Sequence, residues 1–200
     1  SFDWAFRPDD TSGLSLRLYN SYDRLEFIEN TAGSIFEIAN SKSTHTTKAK
    51  GLDAQASKKF LDFYEIICGF NYLENLNDST DTAKNKYSVT AGYLENQFDI
   101  STNLKSSLGV RIDNYSNFGT QASPSFSMRY KFNRDYSLYT LISRSFRAPT
   151  FNDLYWPNQV WVVGNPNLKP EKGETAELGL EARINKYIAS NITYYRSNYK

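Results

Sequence analysis

Two hundred residues suffice for one domain with a sizeable core, so length leaves a complete soluble fold open. Lysine plus arginine (23) nearly balances aspartate plus glutamate (22), and the formal net charge of +1 offers no electrostatic reason to expect nucleic acid or a strongly acidic ligand. Fifteen tyrosines, thirteen phenylalanines and three tryptophans sit in a chain of mean hydropathy -0.60. Aromatic and apolar residues alternating with polar ones along many strands produce that pairing, in a membrane barrel or in a Tyr-rich soluble β-sandwich.

The longest apolar runs, such as FYEIICGF at Phe63 to Phe70, fall far below the roughly 20 residues that a membrane-spanning helix needs, so any crossing of a membrane is by strands. The opening SFDWAFRPDD lacks the basic start, apolar stretch and small-residue cleavage site of a signal peptide, and the expectation is that such a segment was removed or lies upstream. Cys68 is the single cysteine and can form neither an internal disulfide nor a cysteine metal cluster; it is expected to pack as a small apolar residue. With His45 the single histidine, conventional Ser/His/Asp or Cys/His catalysis and a His-based metal site are not expected. In the polar stretch STHTTKAK it is expected to be solvated.

Along the chain, period-two patterning recurs, the mark of strands with two different faces. Leu14, Leu16 and Leu18 alternate with Ser15, Arg17 and Tyr19. The segment from Ile35 to Ser57 is the hardest to place. NLNDSTDTAKN, from Asn75 to Asn85, reads as a connection. Next, Leu104, Leu108, Val110 and Ile112 share one face opposite Lys105, Ser107, Arg111 and Asp113. Phe126, Met128, Tyr130 and Phe132 alternate with Ser125, Ser127, Arg129 and Lys131, and FNRD at Phe132 to Asp135 is a turn. Ala176, Leu178, Leu180, Ala182 and Ile184 alternate with Thr175, Glu177, Glu181 and Arg183, followed by a turn at INK, Ile184 to Lys186. About ten or eleven strands are expected, with charges on one face only. Mixed-sign patches such as SKKFLD and NPNLKPEKGE read as solvated turns or rims, and no linker divides the chain.

From Tyr87 to Glu177 the motifs fall into a family order. "GVRIDNYSNFG", "SPSFSMRY", "YSLYTLISRSFRAPTFNDLY" and "GNPNLKPEKGETAELGLE" follow one another. Over about half the chain this resembles the C-terminal barrel half of TonB-dependent outer-membrane receptors, with similar "FRAP" and "GNPxLxPE" signatures in the cobalamin and colicin-receptor type and in siderophore and haem receptors. Within these motifs, Pro149 after Arg147 and Ala148 ends strand pairing because proline has no amide hydrogen to donate. Gly164, Pro166 and Pro170 favour a compact loop that also carries Asn165 and Glu171, after which Glu174 begins another alternating strand. These motif residues are expected to be structural.

The resemblance implies an all-β fold, an antiparallel transmembrane β-barrel of which about half is present, given roughly 22 strands in plugged outer-membrane transporters. It implies residence in the outer membrane of a Gram-negative-type bacterium and energy-coupled import of a scarce nutrient, a cobalamin, ferric siderophore or haem. The partners implied are that ligand, outer-membrane lipid, and TonB acting through a plug domain expected elsewhere in a longer protein; no cofactor and no catalytic residue are required. A half-barrel alone would leave two unpaired edges in lipid, each unsatisfied backbone group costing several kcal/mol.

Ligand contact is expected first in the long loop between FRAP and GNPNL, where Tyr155, Trp156, Gln159 and Trp161 offer stacking surfaces. The competing reading gives the two tryptophans to an interfacial girdle or to loop packing. Asp78 and Asp81, with Asn77 and Asn85, supply oxygens suited to calcium, though their spacing matches no defined calcium loop. Three other functions compete: a passive porin with an open lumen, an outer-membrane barrel enzyme needing a nucleophile and base on one rim, and a soluble carbohydrate-binding sandwich.

Overall fold

The computed structural model describes residues 1–29, 41–157 and 162–200. The alternation read from the sequence becomes a single antiparallel sheet of ten strands in chain order. They are β1 Phe2–Asp9, β2 Ser12–Glu29, β3 Ser41–Phe60, β4 Tyr64–Ser79, β5 Ala83–Ser101, β6 Leu104–Tyr115, β7 Gly119–Lys131, β8 Tyr136–Arg147, β9 Glu171–Arg183 and β10 Ala189–Tyr199, with one short helix, α1 Phe151–Tyr155, between β8 and β9. Consecutive pairing needs no crossover: β2 to β9 each pair with both neighbours in sequence, and β1 and β10 with one.

Register decides what each face presents. Trp4, Leu16, Ala54, Phe70, Gly92, Ile112 and Ala122 lie opposite one another across β1 to β7. Leu108, Phe126, Ile142 and Ala176 continue the same face across β6 to β9. This face is uncovered: Phe2 is 57% exposed, Leu108 55% and Ile142 55%. A soluble monomer does not leave so broad an apolar surface in water. Among the described residues only Val89, Ala91 and Leu154 form a buried hydrophobic core, and no second sheet packs on the first, so the soluble sandwich is excluded. Cys68 sits on the apolar face between Ala56 and Leu94, exposed there rather than packed in a core.

The two ends of the sheet differ. At one end the connections are residues 10–11, 61–63, 102–103, 132–135 and 184–188, all tight. At the other end lie 80–82 and 116–118, the long stretch 148–170, and the join of β2 to β3 through residues outside the described set. The long stretch 148–170 at one end, against turns of two to five residues at the other, matches the asymmetry of an outer-membrane barrel, long loops outward. Near the tight-turn end the apolar face carries Phe60, Tyr64 and Phe98, with ring centroids 6.0 and 4.9 Å apart, an aromatic girdle of the kind that marks a membrane interface.

Three expectations about segment bounds need correction. The segment Asn75 to Asn85 is not a connection: β4 runs to Ser79 and β5 starts at Ala83, leaving only Thr80, Asp81 and Thr82 in the turn. Strands that extend past the lipid bear polar residues on both faces, so the segment imitates a loop in composition. For the same reason Ile35 to Ser57 is hard to place, although 41 to 57 belong to β3; Ile35 to Asn40 lie outside the described residues. β9 begins at Glu171, three positions ahead of Glu174, because Arg147 already faces Glu171 in register.

His45 is not solvated. Its side chain is 19% exposed, with Nδ1 2.8 Å from Ser79 Oγ and Nε2 3.0 Å from Ser43 Oγ and 3.2 Å from Asp81 Oδ2. Ser79 Oγ accepts the backbone N–H of Asp81 (3.0 Å) and of Thr82 (3.2 Å). Ser79 is buried and accepts two backbone bonds, so this Ser, His and Asp set ties the β4–β5 turn to β3.

On the polar face, large side chains lie over glycines. Tyr139 stands opposite Gly179 on β9, and its hydroxyl is 2.7 Å from Thr193 Oγ1 on β10. Tyr93 likewise crosses Gly69 on β4 to donate to Gln55 Oε1 on β3 at 2.7 Å. A Cβ at Gly179 would lie 2.1 Å from the Tyr139 ring, whereas at Gly92, on the apolar face, the nearest atom is 3.9 Å away. Each such tyrosine ties three strands. In the full-length parent protein, Gly179→Ala is expected to lower unfolding stability by about 1–3 kcal/mol by evicting the ring, and Gly92→Ala to change it by less than about 0.5 kcal/mol. Urea unfolding of both in the same detergent checks this, and equal midpoints would refute the tie.

Candidate functional site

The polar face is held together in transverse rows. Asp3, Arg17, Asp53, Asn71, Ala91, Asp113 and Gln121 are register neighbours from β1 to β7. Asp3 accepts from Arg17 Nε, and Asn71 Nδ2 donates to Asp53. Arg111 Nη2 reaches Asn71 Oδ1 at 3.4 Å and pairs with Asp113 Oδ1 at 2.7 Å. Asp113 is only 4% exposed, and a carboxylate buried that far is tolerated because Arg111 neutralises it. Further along, Arg129 pairs with Glu181, which also accepts from Ser137 Oγ at 2.7 Å. This wall is polar, rigid and ion-paired, a surface for a water-filled or protein-filled interior rather than for lipid.

Over the long-loop end of that wall lies the segment between β8 and β9. Its start is set by the sequence: Arg147 ends β8, Pro149 follows without a donor, and Thr150 caps α1 in an extended conformation. Asp153 N donates to Thr150 Oγ1 at 3.1 Å while Thr150 N donates to Asp153 Oδ2 at 2.8 Å, a reciprocal capping box. Phe151 then packs on Tyr87 of β5, ring centroids 5.2 Å apart, and Tyr87 stands 6.0 Å from Tyr115 of β6. Tyr87 has the same parity as Val89, Ala91 and Tyr93, so α1 rests on the polar, inward side of the sheet.

The return path is equally determined. Gly164 N donates to Trp156 O at 2.9 Å and Asn165 N to Asp153 O at 2.9 Å. A Cβ on Gly164 would fall 2.4 Å from the backbone nitrogen of Trp156, so only glycine permits this approach. Asn165 turns the chain: its Oδ1 accepts from Asn167 N at 3.0 Å and its carbonyl from Leu168 N at 3.0 Å, with Pro166 between. Pro170 precedes Glu171, the first residue of β9. Arg147 closes the junction, 3.4 Å from Glu171 Oε2 and 3.8 Å from Asp153 Oδ2.

Of the residues expected to meet ligand, Tyr155 ends α1, half-buried against Phe151 with centroids 6.4 Å apart, and Trp156 is its half-buried C-cap. Gln159 and Trp161 lie outside the described residues. Asp78 and Asp81 are not brought together: Asp78 pairs in register with Thr46 and Lys84 on the outward face of β4, while Asp81 turns to Ser43 and His45. Asn77 and Asn85 are engaged with Thr82. Among the described residues no group of three acidic, histidine or cysteine side chains is poised for a metal. Sequence reasoning missed the docking aromatics Tyr87 and Tyr115 and the cap residue Asp153, although T-x-x-D ahead of Leu154 is a readable capping signal.

A sheet and loop of this kind recur in known proteins. The sequence profile described as "TonB dependent receptor-like, beta-barrel" matches residues 1–200. The chain belongs to that family. Among its relatives, the vitamin B12 transporter BtuB of Photobacterium profundum is 33% identical over 121 residues, 60% of this chain and 19% of the relative. The ferric enterobactin receptor PirA of Pseudomonas aeruginosa is 29% identical over 136 residues, 58% of this chain and 18% of the relative. Among solved structures, a mutant of the ferric enterobactin receptor PfeA from Pseudomonas aeruginosa superposes with a TM-score of 0.81 at 18% identity, covering 96% of this chain and 33% of that one. The copper transporter OprC gives 0.81 at 14% identity, 98% of this chain and 37% of that one. These likenesses show the fold, and the chain spans about a third of the solved receptors it matches.

As a receptor barrel wall, the sheet has its apolar face toward lipid and its ion-paired face toward the interior. The capping box makes the α1 loop acid-sensitive. Its hydrogen bonds from Thr150 hold the Asp153 carboxyl below its usual 3.8. A lowered folded value stabilises the loop above the unfolded value and loses that contribution as pH falls through the folded one. Amide exchange at Asp153 and Leu154, corrected for intrinsic rates, is therefore expected to be constant from neutral pH down to about 5 and to accelerate below about 4. Thr150→Ala is expected to exchange faster already at neutral pH, by a factor corresponding to about 1 kcal/mol. Unchanged protection in that variant would show that the cap does not hold the loop.

Proposed function

We propose that this chain is barrel wall from a TonB-dependent receptor that imports a scarce nutrient, a cobalamin, a ferric siderophore or haem, across the outer membrane of a Gram-negative-type bacterium. The observation that carries the reading is the family match across residues 1–200, on a sheet with one lipid-compatible and one ion-paired face. The rest of the protein supplies the strands that pair with the free edges of β1 and β10, and a plug domain that occupies the interior and contacts TonB.

In this reading the wall does no chemistry. Its ion-paired rows hold the interior surface rigid, and the docked α1 loop carries Tyr155 and Trp156, with Gln159 and Trp161 following in sequence; flat side chains of this kind stack on ligand at small entropic cost. Vitamin B12 and ferric enterobactin are named for different relatives, which supports a ligand chosen by loops rather than by the shared sheet. A passive porin is the weaker reading: it requires no plug, and a loop folded back over the polar face narrows the mouth it needs open.

Uptake of labelled cobalamin, ferric siderophores and haem by cells expressing the full-length parent protein, with and without TonB, tests the proposal. One ligand is expected to be taken up only when TonB is present. Uptake independent of TonB would replace the receptor by a porin. Trp156→Ala with Trp161→Ala is expected to weaken binding of that ligand about tenfold, on the scale of a buried aromatic contact, without changing heat-modifiable gel mobility. Undiminished binding would move the ligand site to other loops.

A further inference from the structure

The outward face of the sheet changes character within one step of its alternation. Leu18, Leu52 and Tyr72 form its last apolar row on β2 to β4. The next outward row, about 7 Å further along the strands, is Asn20, Lys50, Glu74 and Ser88. Above it come Tyr22, Lys48, Leu76 and Lys86, and then Arg24, Thr46, Asp78 and Lys84. With Lys42 and Glu26 beyond them, six cations face outward against three carboxylates.

The cations are not all spent on those carboxylates. Arg24 and Lys42 share Glu26 at 2.6 and 3.2 Å, and Lys86 meets Glu74 at 2.7 Å. Among the described residues, Lys48, Lys50 and Lys84 have no carboxylate within ion-pair distance; Lys48 lies 5.7 Å from the centre of the Tyr22 ring. Lys48 and Lys86 flank Leu76 in one row, about 10 Å apart across two strand spacings, with Lys50 one outward position below. The outward face of β6 to β9 at the same end offers only the internally paired Arg144 and Glu174, at 2.6 Å, and Lys172 next to them.

We propose that this face, Lys48, Lys50, Lys84 and Lys86 above the Leu18, Leu52 and Tyr72 row, is a binding site for a phosphate-bearing lipid of the outer leaflet. The inference rests on the membrane-barrel reading. Acyl chains cover the apolar rows, and a phosphate headgroup then meets a lysine-rich surface at the height where the alternation turns cationic. Charge complementarity and the continuity of the two bands on one face select an anionic amphiphile over a soluble anion, which gains nothing from the apolar rows.

The test uses the full-length parent protein, purified in a zwitterionic detergent and titrated with lipid A, followed by native mass spectrometry. The wild-type protein is expected to retain lipid A, weakening as salt rises. A Lys48→Ala, Lys50→Ala, Lys84→Ala variant is expected to bind it roughly a hundredfold more weakly, on the scale of three surface lysines at an anionic leaflet. Heat-modifiable mobility verifies that the variant folds, and Lys131→Ala, Arg134→Ala at the opposite end of the sheet is expected to bind as the wild type does. Equal binding by the triple variant, equal retention of phosphatidylcholine, or displacement by inorganic phosphate at the lipid's own concentration would each overturn the proposal. A protein that fails to enter detergent micelles at all would instead overturn the membrane-barrel reading, and neither outcome depends on transport.

Discussion

The constraint on which the rest depends is that lipid accepts no unpaired backbone N–H or C=O. A membrane-spanning sheet must therefore satisfy every strand along its whole crossing by a neighbour, and consecutive antiparallel pairing does this with the shortest connections. The ladders here run without interruption through most of each strand, from Ser12↔Lys58 to Glu29↔Ser41 between β2 and β3. The exceptions are instructive. Pro124, which cannot donate, pairs with Val110 on one side and lies just before the β7–β8 ladder begins at Ser125, so its missing N–H breaks no bond on that side.

Once pairing is consecutive, the period of two divides the chemistry. One face needs only to be apolar, and its side chains stay large, exposed and without mutual core. The other face cannot rely on hydrophobic burial, so its rigidity comes from polar links between strands: Arg17 to Asp3, Asn71 to Asp53, Arg111 to Asp113, and tyrosines that cross glycines to reach the strand beyond. A barrel wall thus carries its specific packing on the inside surface, the reverse of a protein in water, whose apolar side chains hold the core.

The strands within the bilayer are legible in the sequence because the lipid imposes alternation on them: Leu14 to Leu18, Leu104 to Ile112 and Ala176 to Ala182 fall where expected, and Ile184 lies one residue past the end of β9. Where β3, β4 and β5 rise beyond the lipid that demand ends, and Asn75 to Asn85 has the composition of a loop although its backbone is paired to within three residues of the tip. Contacts across strands are illegible for a different reason. His45 meets Ser79 and Asp81, and Tyr87 meets Phe151, through register and loop docking, which no single stretch of sequence specifies. The FRAP and GNPNLKPE motifs locate the long loop but do not reveal that α1 turns inward.

That loop has a frame and an insert. Arg147, Pro149, Thr150 and Asp153 build one side of the frame, and Gly164, Asn165 and Glu171 the other; they meet through the Gly164 and Asn165 hydrogen bonds to Trp156 and Asp153 and through Arg147. The frame closes on backbone groups and on its own charges, so its geometry is set by the residues that flank the insert. A fold whose rigid part is set by lipid and whose variable part is confined between two fixed strands can change what it recognises without changing how it stands in the membrane.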